Sequence, residues 1–350
     1  MRNLKRALSL ALAAIMLIGM MVVSASAAGF DDFSDKDEIV NKDAVSMLVS
    51  LGIIEGKPDG SYGPTENVDR AQMAKMLSVI MNKGVDNSAL YQSVNSGLVD
   101  VNTNWAKGHI NYCYTTGIIA GRGNGKFDPS ATVTALEAAK MLLVAVGYDP
   151  AIEGFEGADW AINVSVRADE QGIFEGFTKD LSAPLNRDDA ALLIYNALDV
   201  EMIQSYTTNN YPIVYSDHRT ILSDKYGVIK VEGVVTANEW AILDDDTDTA
   251  LQEGKTRIYN PDGILSTTGN TAVAQDSSAN VKTQVFNVST PVDMLGKAVT
   301  MYVKKTTILA DSTVYGAPVV SDVNTVIETG EKVTGGDSKD DDSLAALLKG

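Results

Sequence analysis

The sequence predicts a multidomain α plus β chain, with an N-terminal all-α region of three repeated units followed by a small all-β barrel or sandwich domain. Two observations predict the helical part. GIIEGKPDGSYGPTENVDRAQMAKML, from Gly52 to Leu77, returns as GIIAGRGNGKFDPSATVTALEAAKML, from Gly117 to Leu142, without a gap and with 11 of 26 positions identical. A weaker copy follows in ADWAINVSVRADEQGIFEGF (158 to 177) and APLNRDDAALLIYNAL (183 to 198). The third observation is a change of period: from about Tyr211, runs such as YPIVYSD, GVIKVEGVVTAN, KTRIYN, TQVFNV and KAVTMYVKKTTIL read as strands.

Each unit reads as helix, turn loop, capped helix. Apolar residues at three- and four-residue spacing, among them Val45, Leu48 and Val49, predict a helix over 41 to 52, and NWAKGHINYCYTTG predicts its counterpart over 104 to 117. Gly52 and Gly117 stand where a left-handed C-terminal cap belongs. In the turns that follow, Asp59-Gly60 and Asn124-Gly125 supply positive φ. The second helix opens on a capping box, Asp69 with Gln72 and Thr134 with Glu137. Apolar stripes follow at Met73, Ala74, Leu77 and Ile80, and at Ala138, Ala139, Leu142 and Ala145. The third copy repeats the turn at Gly172 to Gly176 and the cap at Asn186 with Asp189, on a loop three residues shorter. Units this small should pack on one another to bury a core.

The organisation read from these signals is a signal peptide at 1 to 28, units at 29 to 84, 95 to 148 and 155 to 202, a β-rich domain at 211 to 332, and an acidic flexible tail or linker at 333 to 350. Arg2, Lys5 and Arg6 precede an apolar run from Leu8 to Val23 and the small residues Ala25-Ser26-Ala27, the pattern of a secretory signal cleaved near Ala27 or Ala28. An uncleaved membrane anchor is the alternative; no later stretch is apolar enough to span a membrane, so none is expected after cleavage. The net charge of −18 argues against nucleic acid as a partner. Cys113 is the sole cysteine, which excludes an internal disulfide, and its helical setting between tyrosines reads as core filling.

Arg70, Ala135 and Arg187 occupy the position just after each cap. Arginine at a helix N-terminus opposes the dipole by about 0.3–1 kcal/mol and so needs a reason. Free backbone N–H groups beside a guanidinium fork would receive a carboxylate or phosphate. Taken singly, Arg70 and Arg187 could equally pair with Asp69, Glu66 or Asp188; recurrence in two units favours binding.

With these motifs in place, the three units resemble S-layer homology (SLH) repeats over roughly residues 30 to 200. The resemblance is carried by Phe30-Asp31-Asp32 and Leu98-Val99-Asp100 at the openings, by Trp105-Ala106 and Trp160-Ala161, and by the Gly-Ile-Ile-x-Gly turns ending in Tyr62-Gly63-Pro64 and Phe127-Asp128-Pro129. It implies a pseudo-threefold bundle whose inter-repeat grooves bind acidic, often pyruvylated, secondary cell-wall polysaccharide, a glycan linked to peptidoglycan. It also implies that Arg70 and Arg187 hold the sugar carboxylate, with Asp32, Asp100, Gly56, Gly121, Trp105 and Trp160 at the grooves. Ala135 in place of arginine implies that the second repeat lacks a charged clamp and that at most two grooves are competent, the first repeat being the binding one of the doubled pair.

The leading expectation is a secreted, non-enzymatic protein at the cell wall and cell surface, with no cofactor. The alternatives are a wall-attached polysaccharide-active enzyme, with carboxylates such as Glu232, Glu239 and Asp244 in the β region, and a self-assembling S-layer subunit. His109 reads as structural or surface, and the two histidines and one cysteine make no metal cluster. The run Asp244 to Asp248 lacks calcium-loop spacing and reads as a solvated loop. The lysine-bearing GRGNGKF lacks a phosphate-loop ending.

Overall fold

The computed structural model describes residues 30–243, 250–261, 282–304 and 312–321. The signal segment, the Asp244 to Asp248 run and the acidic tail lie outside the described residues.

The helices are α1 (Lys42–Ser50), α2 (Arg70–Met81), α3 (Lys107–Thr115), α4 (Ala135–Val146), α5 (Trp160–Glu170) and α6 (Arg187–Leu198). Their ends follow the local chemistry. Gly52, Gly117 and Gly172 adopt φ of +70°, +79° and +70°. The residue after each glycine donates back into the helix, Ile53 to Leu48 O, Ile118 to Cys113 O and Ile173 to Ala168 O, each at 2.9 Å, so all three first helices stop in the same way. Both predicted capping boxes form, on Asp69 with Gln72 and on Thr134 with Glu137, and Asn186 accepts from the Asp189 N–H at 2.7 Å. Both apolar stripes are buried, and Cys113 is fully buried with Sγ 3.4 Å from Ala74 O.

The helices pair across units: α2 packs on α3, α4 on α5, and α6 returns to α1. Asp188 fixes the last contact, accepting from the Asn41 backbone N–H at 3.1 Å and its amide at 2.9 Å. At the centre, the Val68 N–H donates to Leu185 O at 2.8 Å, Leu185 to Val133 O at 2.8 Å, and Val133 to Val68 O at 2.9 Å. One residue from each unit thus closes a ring of three backbone bonds.

The β region begins earlier than the sequence predicts. A ribbon of β1 (Ile203–Tyr206) and β2 (Pro212–Val214) leads into an antiparallel sheet of β3 (Val228–Ala237), β4 (Thr256–Tyr259), β5 (Thr283–Phe286), β6 (Ala298–Lys304) and β7 (Val314–Val320) in the order β5-β4-β3-β6-β7. The expected barrel is corrected: among the described residues the five-stranded sheet is open, because β5 and β7 end it without pairing to each other. One face packs its own small core of Ile229, Val231, Val235, Ile258, Phe286, Val299, Met301 and Val303. Val228 and Tyr302 belong instead to the helical core. Tyr226 Oη donates to Ile80 O at 3.2 Å, Tyr302 meets Tyr195 edge to face at 5.7 Å, and β7 packs on α1. Helices and sheet are thereby joined along one seam.

Candidate functional site

Two grooves of the same build lie between the units. The first, of about 360 Å³, is framed by Ile53 to Pro58 of the first turn, by Gln72, Lys75 and Met76 of α2, by Trp105, and by Arg187. The second, of about 400 Å³, is framed by Ile118, Ala120, Gly121 and Arg122 of the second turn, by Glu137, Lys140 and Met141 of α4, by Trp160, and by Arg70. The 65-residue offset maps one set of turn and helix residues onto the other.

The arginines reach across units, and this differs from the sequence reading. Arg70 enters the second unit's groove, where Nε donates to Phe127 O and a terminal nitrogen to Ala120 O, both at 2.8 Å, with the guanidinium 4.3 Å over the Phe127 ring. Arg187 does the same in the first groove, donating to Tyr62 O at 2.8 Å and Glu55 O at 3.1 Å over the Tyr62 ring. Ala135, the matching residue of the second unit, therefore leaves the third unit's turn, and not the second, without a guanidinium from this position. A lone sequence gives the spacing of an arginine but not the unit it points into. The sequence puts Trp105 and Trp160 in first helices; in the structure Trp105 stands two residues ahead of α3 and is 57% exposed, while Trp160 opens α5.

The helix N-termini offer no free receptor. The Arg70 and Ala71 N–H groups donate to Ala131 O at 3.0 Å and Pro129 O at 2.9 Å, and those of Arg187 and Asp188 donate to Glu66 O and Pro64 O at 2.9 and 3.1 Å. Cap residues hold Gln72 and Asp189. An anion in either groove must therefore be met by side chains, chiefly by guanidinium N–H groups beyond those already bonded. Burial, then the neighbouring Arg122, lowers the Arg70 pKa to about 10, so it stays charged at neutral pH.

Asp100 and the glycines shape the turns. Asp100 accepts from the Phe127 and Asp128 N–H groups at 2.9 and 2.8 Å; burial opposes its ionisation, yet these bonds hold its carboxyl below the ordinary value. Its equivalent is Asp35, which accepts from Tyr62 and Gly63 at 2.8 Å each, and not Asp32, which is exposed. The opening motif of the first unit is thus Phe33-Ser34-Asp35, one turn later than Phe30-Asp31-Asp32. Gly56 and Gly121 are needed for close approach: a Cβ would lie 2.6 Å from the Phe33 ring in the one and 2.9 Å from Lys126 O in the other. Across the third turn, the positions matching arginine, tryptophan and lysine hold Ala135, Val40 and Leu192.

Elsewhere, His109 is buried and structural, with Nδ1 2.6 Å from Ser78 Oγ, and burial lowers its pKa. Glu239 staples a turn through the Gly254 N–H and Ser289 Oγ, and Glu232 pairs with Lys230 at 3.1 Å; Asp244 lies outside the described residues. Among the described residues no group of three or more His, Cys, Asp or Glu is arranged to hold a metal, and no helix is long and apolar enough to cross a membrane.

Comparison with known proteins identifies the repeats. The S-layer homology domain profile matches residues 32–74 and 99–139. A cell surface protein of Thermoanaerobacter kivui is 30% identical over 273 residues, which is 76% of this chain and 32% of that protein. A middle cell wall protein of Brevibacillus brevis is 28% identical over 196 residues, 56% of this chain and 18% of that protein. An amylopullulanase of Thermoanaerobacterium thermosulfurigenes is 30% identical over 181 residues, 48% of this chain and 9% of the enzyme. The chain spans about a third of the first of these relatives and less of the others. It carries an S-layer homology domain in two matched repeats and is located at the cell surface, on the cell wall.

Proposed function

We propose that the chain anchors itself non-covalently to the wall by binding acidic, pyruvylated secondary cell-wall polysaccharide in the two arginine grooves. The observation that carries this reading is the repetition of one construction: a turn, a tryptophan and an arginine from another unit meet twice in equivalent residues. A stacking surface beside a guanidinium suits a sugar ring bearing a carboxylate. Residues 155 to 202 act as a third repeat completing a pseudo-threefold bundle, a reading supported by the shared helix ending, the Asn186 cap and the ring of Val68, Val133 and Leu185. The third turn binds no acidic sugar, since Ala135, Val40 and Leu192 supply neither fork, ring nor ammonium.

The molecule is strongly acidic, so long-range attraction to a polyanion is unfavourable and affinity comes from short contacts at two grooves on one polymer. The test is co-sedimentation with purified cell walls before and after the pyruvylated polymer is removed. The expected result is pelleting with native walls only; equal pelleting with stripped walls would overturn the proposal.

In this reading the β region is carried to the wall as a displayed domain and does no catalysis. The amylopullulanase relative favours the alternative of a wall-attached enzyme, and hydrolysis of glycans or peptidoglycan by residues 205 to 335 would establish it. Lattice formation by the purified chain would establish a self-assembling S-layer subunit.

A further inference from the structure

The two grooves share a plan but differ in the chemistry left open to a ligand, and three separate observations rank them in the same order. Arg70 is 4% exposed whereas Arg187 is only half-buried, so a ligand reaches the guanidinium of the first groove more readily. The second difference is in the lysines. Lys75 pairs at 2.7 Å with Glu55, whose side chain is 70% exposed, and a pair so open to solvent is weakly held. Its equivalent Lys140 is fixed between Phe155 O, at 2.5 Å, and the Trp160 ring, 5.7 Å away. The third lies at the N3 position of the capped helix. Gln72 is neutral, while Glu137 presents a carboxylate to the second groove and holds Arg122 at 2.7 Å.

From these differences, and resting on the acidic-sugar reading above, we infer that the grooves are unequal. The Arg187 groove is the primary site for the carboxylate-bearing sugar, Lys75 is its second cationic contact, and the Gln72/Glu137 difference sets the ranking. The walls carry the same sense: three cations against Glu55 in the first groove, three against Glu137 and Glu156 in the second. The second groove then accepts a less charged stretch of the same polymer. One tight and one weak contact would allow the chain to hold its place while the weak one exchanges.

The test uses the whole chain and a methyl hexopyranoside bearing a pyruvate ketal, with the unketalised glycoside as control, followed by calorimetry and indole fluorescence. Two steps of unequal affinity are expected, the tighter one losing its fluorescence signal in Trp105→Phe and the weaker one in Trp160→Phe. Gln72→Glu and Glu137→Gln each install the N3 residue of the other unit, so both capping boxes remain possible. Gln72→Glu is expected to weaken the tight step about fivefold, the scale of one exposed ion pair, and Glu137→Gln to tighten the weak step by a similar factor. Lys75→Ala should weaken the tight step and Lys140→Ala should leave it unchanged. Equal affinities, a tight step reporting on Trp160, or no response to the reciprocal exchange would overturn the ranking alone. Absence of binding in both grooves would overturn the acidic-sugar reading together with it.

Discussion

Arg70 and Arg187 hold the turns together before they hold any ligand. Removing Arg70 leaves Phe127 O without its bond in a buried setting and Ala120 O in a partly exposed one that water can reach, a loss of about 1–3 kcal/mol. Urea unfolding of Arg70→Ala should show that loss, and Arg187→Ala a smaller one, because its site is more exposed. A wall-binding defect in Arg70→Ala is therefore informative only when paired with a stability measurement. The aspartates make a pH prediction. Asp35 and Asp100 are both held below the ordinary value in the folded chain, backbone bonds outweighing the burial that opposes them. A depressed carboxyl contributes stability that is complete above the unfolded value of 3.8 and is lost as pH falls through the lower folded value. Wild type should accordingly lose stability below about pH 4, and the Asp35→Asn, Asp100→Asn pair should lose less over the same range, read as the slope of unfolding free energy against pH.

At the scale of elements, much was legible because helix ends are written locally. Gly52, Gly117, Asp69 with Gln72 and Thr134 with Glu137 all act where the sequence puts them, since a cap needs only its own few residues. Thr134→Ala should cost about 1 kcal/mol in urea unfolding, and a negligible loss would show that the box contributes nothing. The strands were less legible. Val314 to Val320 contains Gly316 and Pro318, residue types that weaken strand interiors, yet β7 forms because proline is tolerated at the end of the sheet, and a register shift lies between Thr300 and Tyr302. β1 carries a single buried residue, Ile203, so no alternation marks it. The grooves were legible in composition and not in assembly. Arg70, Arg187, Gly56, Gly121, Trp105 and Trp160 do line them, but which arginine meets which turn is a long-range fact. Asp35 takes the place expected for Asp32, and the sequence held the signal: the 65-residue offset carries Asp100 onto Asp35, where the bonds to Tyr62 and Gly63 form.

For the whole molecule, the order of contacts makes the last unit part of the first groove. Arg187 opens α6, α6 packs on α1, and the ring of Val68, Val133 and Leu185 gives each unit one bond donated and one accepted. No unit can open without breaking two of those three bonds and uncovering its neighbour's core. The sheet adds to this coupling, because Tyr226 bonds Ile80 O on α2 and β7 rests on α1. Cooperative units of this kind exchange their central amides only when the whole unit opens. Native-state hydrogen exchange should therefore give the Val68, Val133 and Leu185 amides one common opening free energy, equal to that of the α2 core. Val133→Pro removes one donor from the ring and should lower all three units' protection together, including that of Leu185 and the α6 amides near Arg187. A drop confined to residues 95 to 148 would mean that the units open independently, and the first groove would then no longer depend on the third unit.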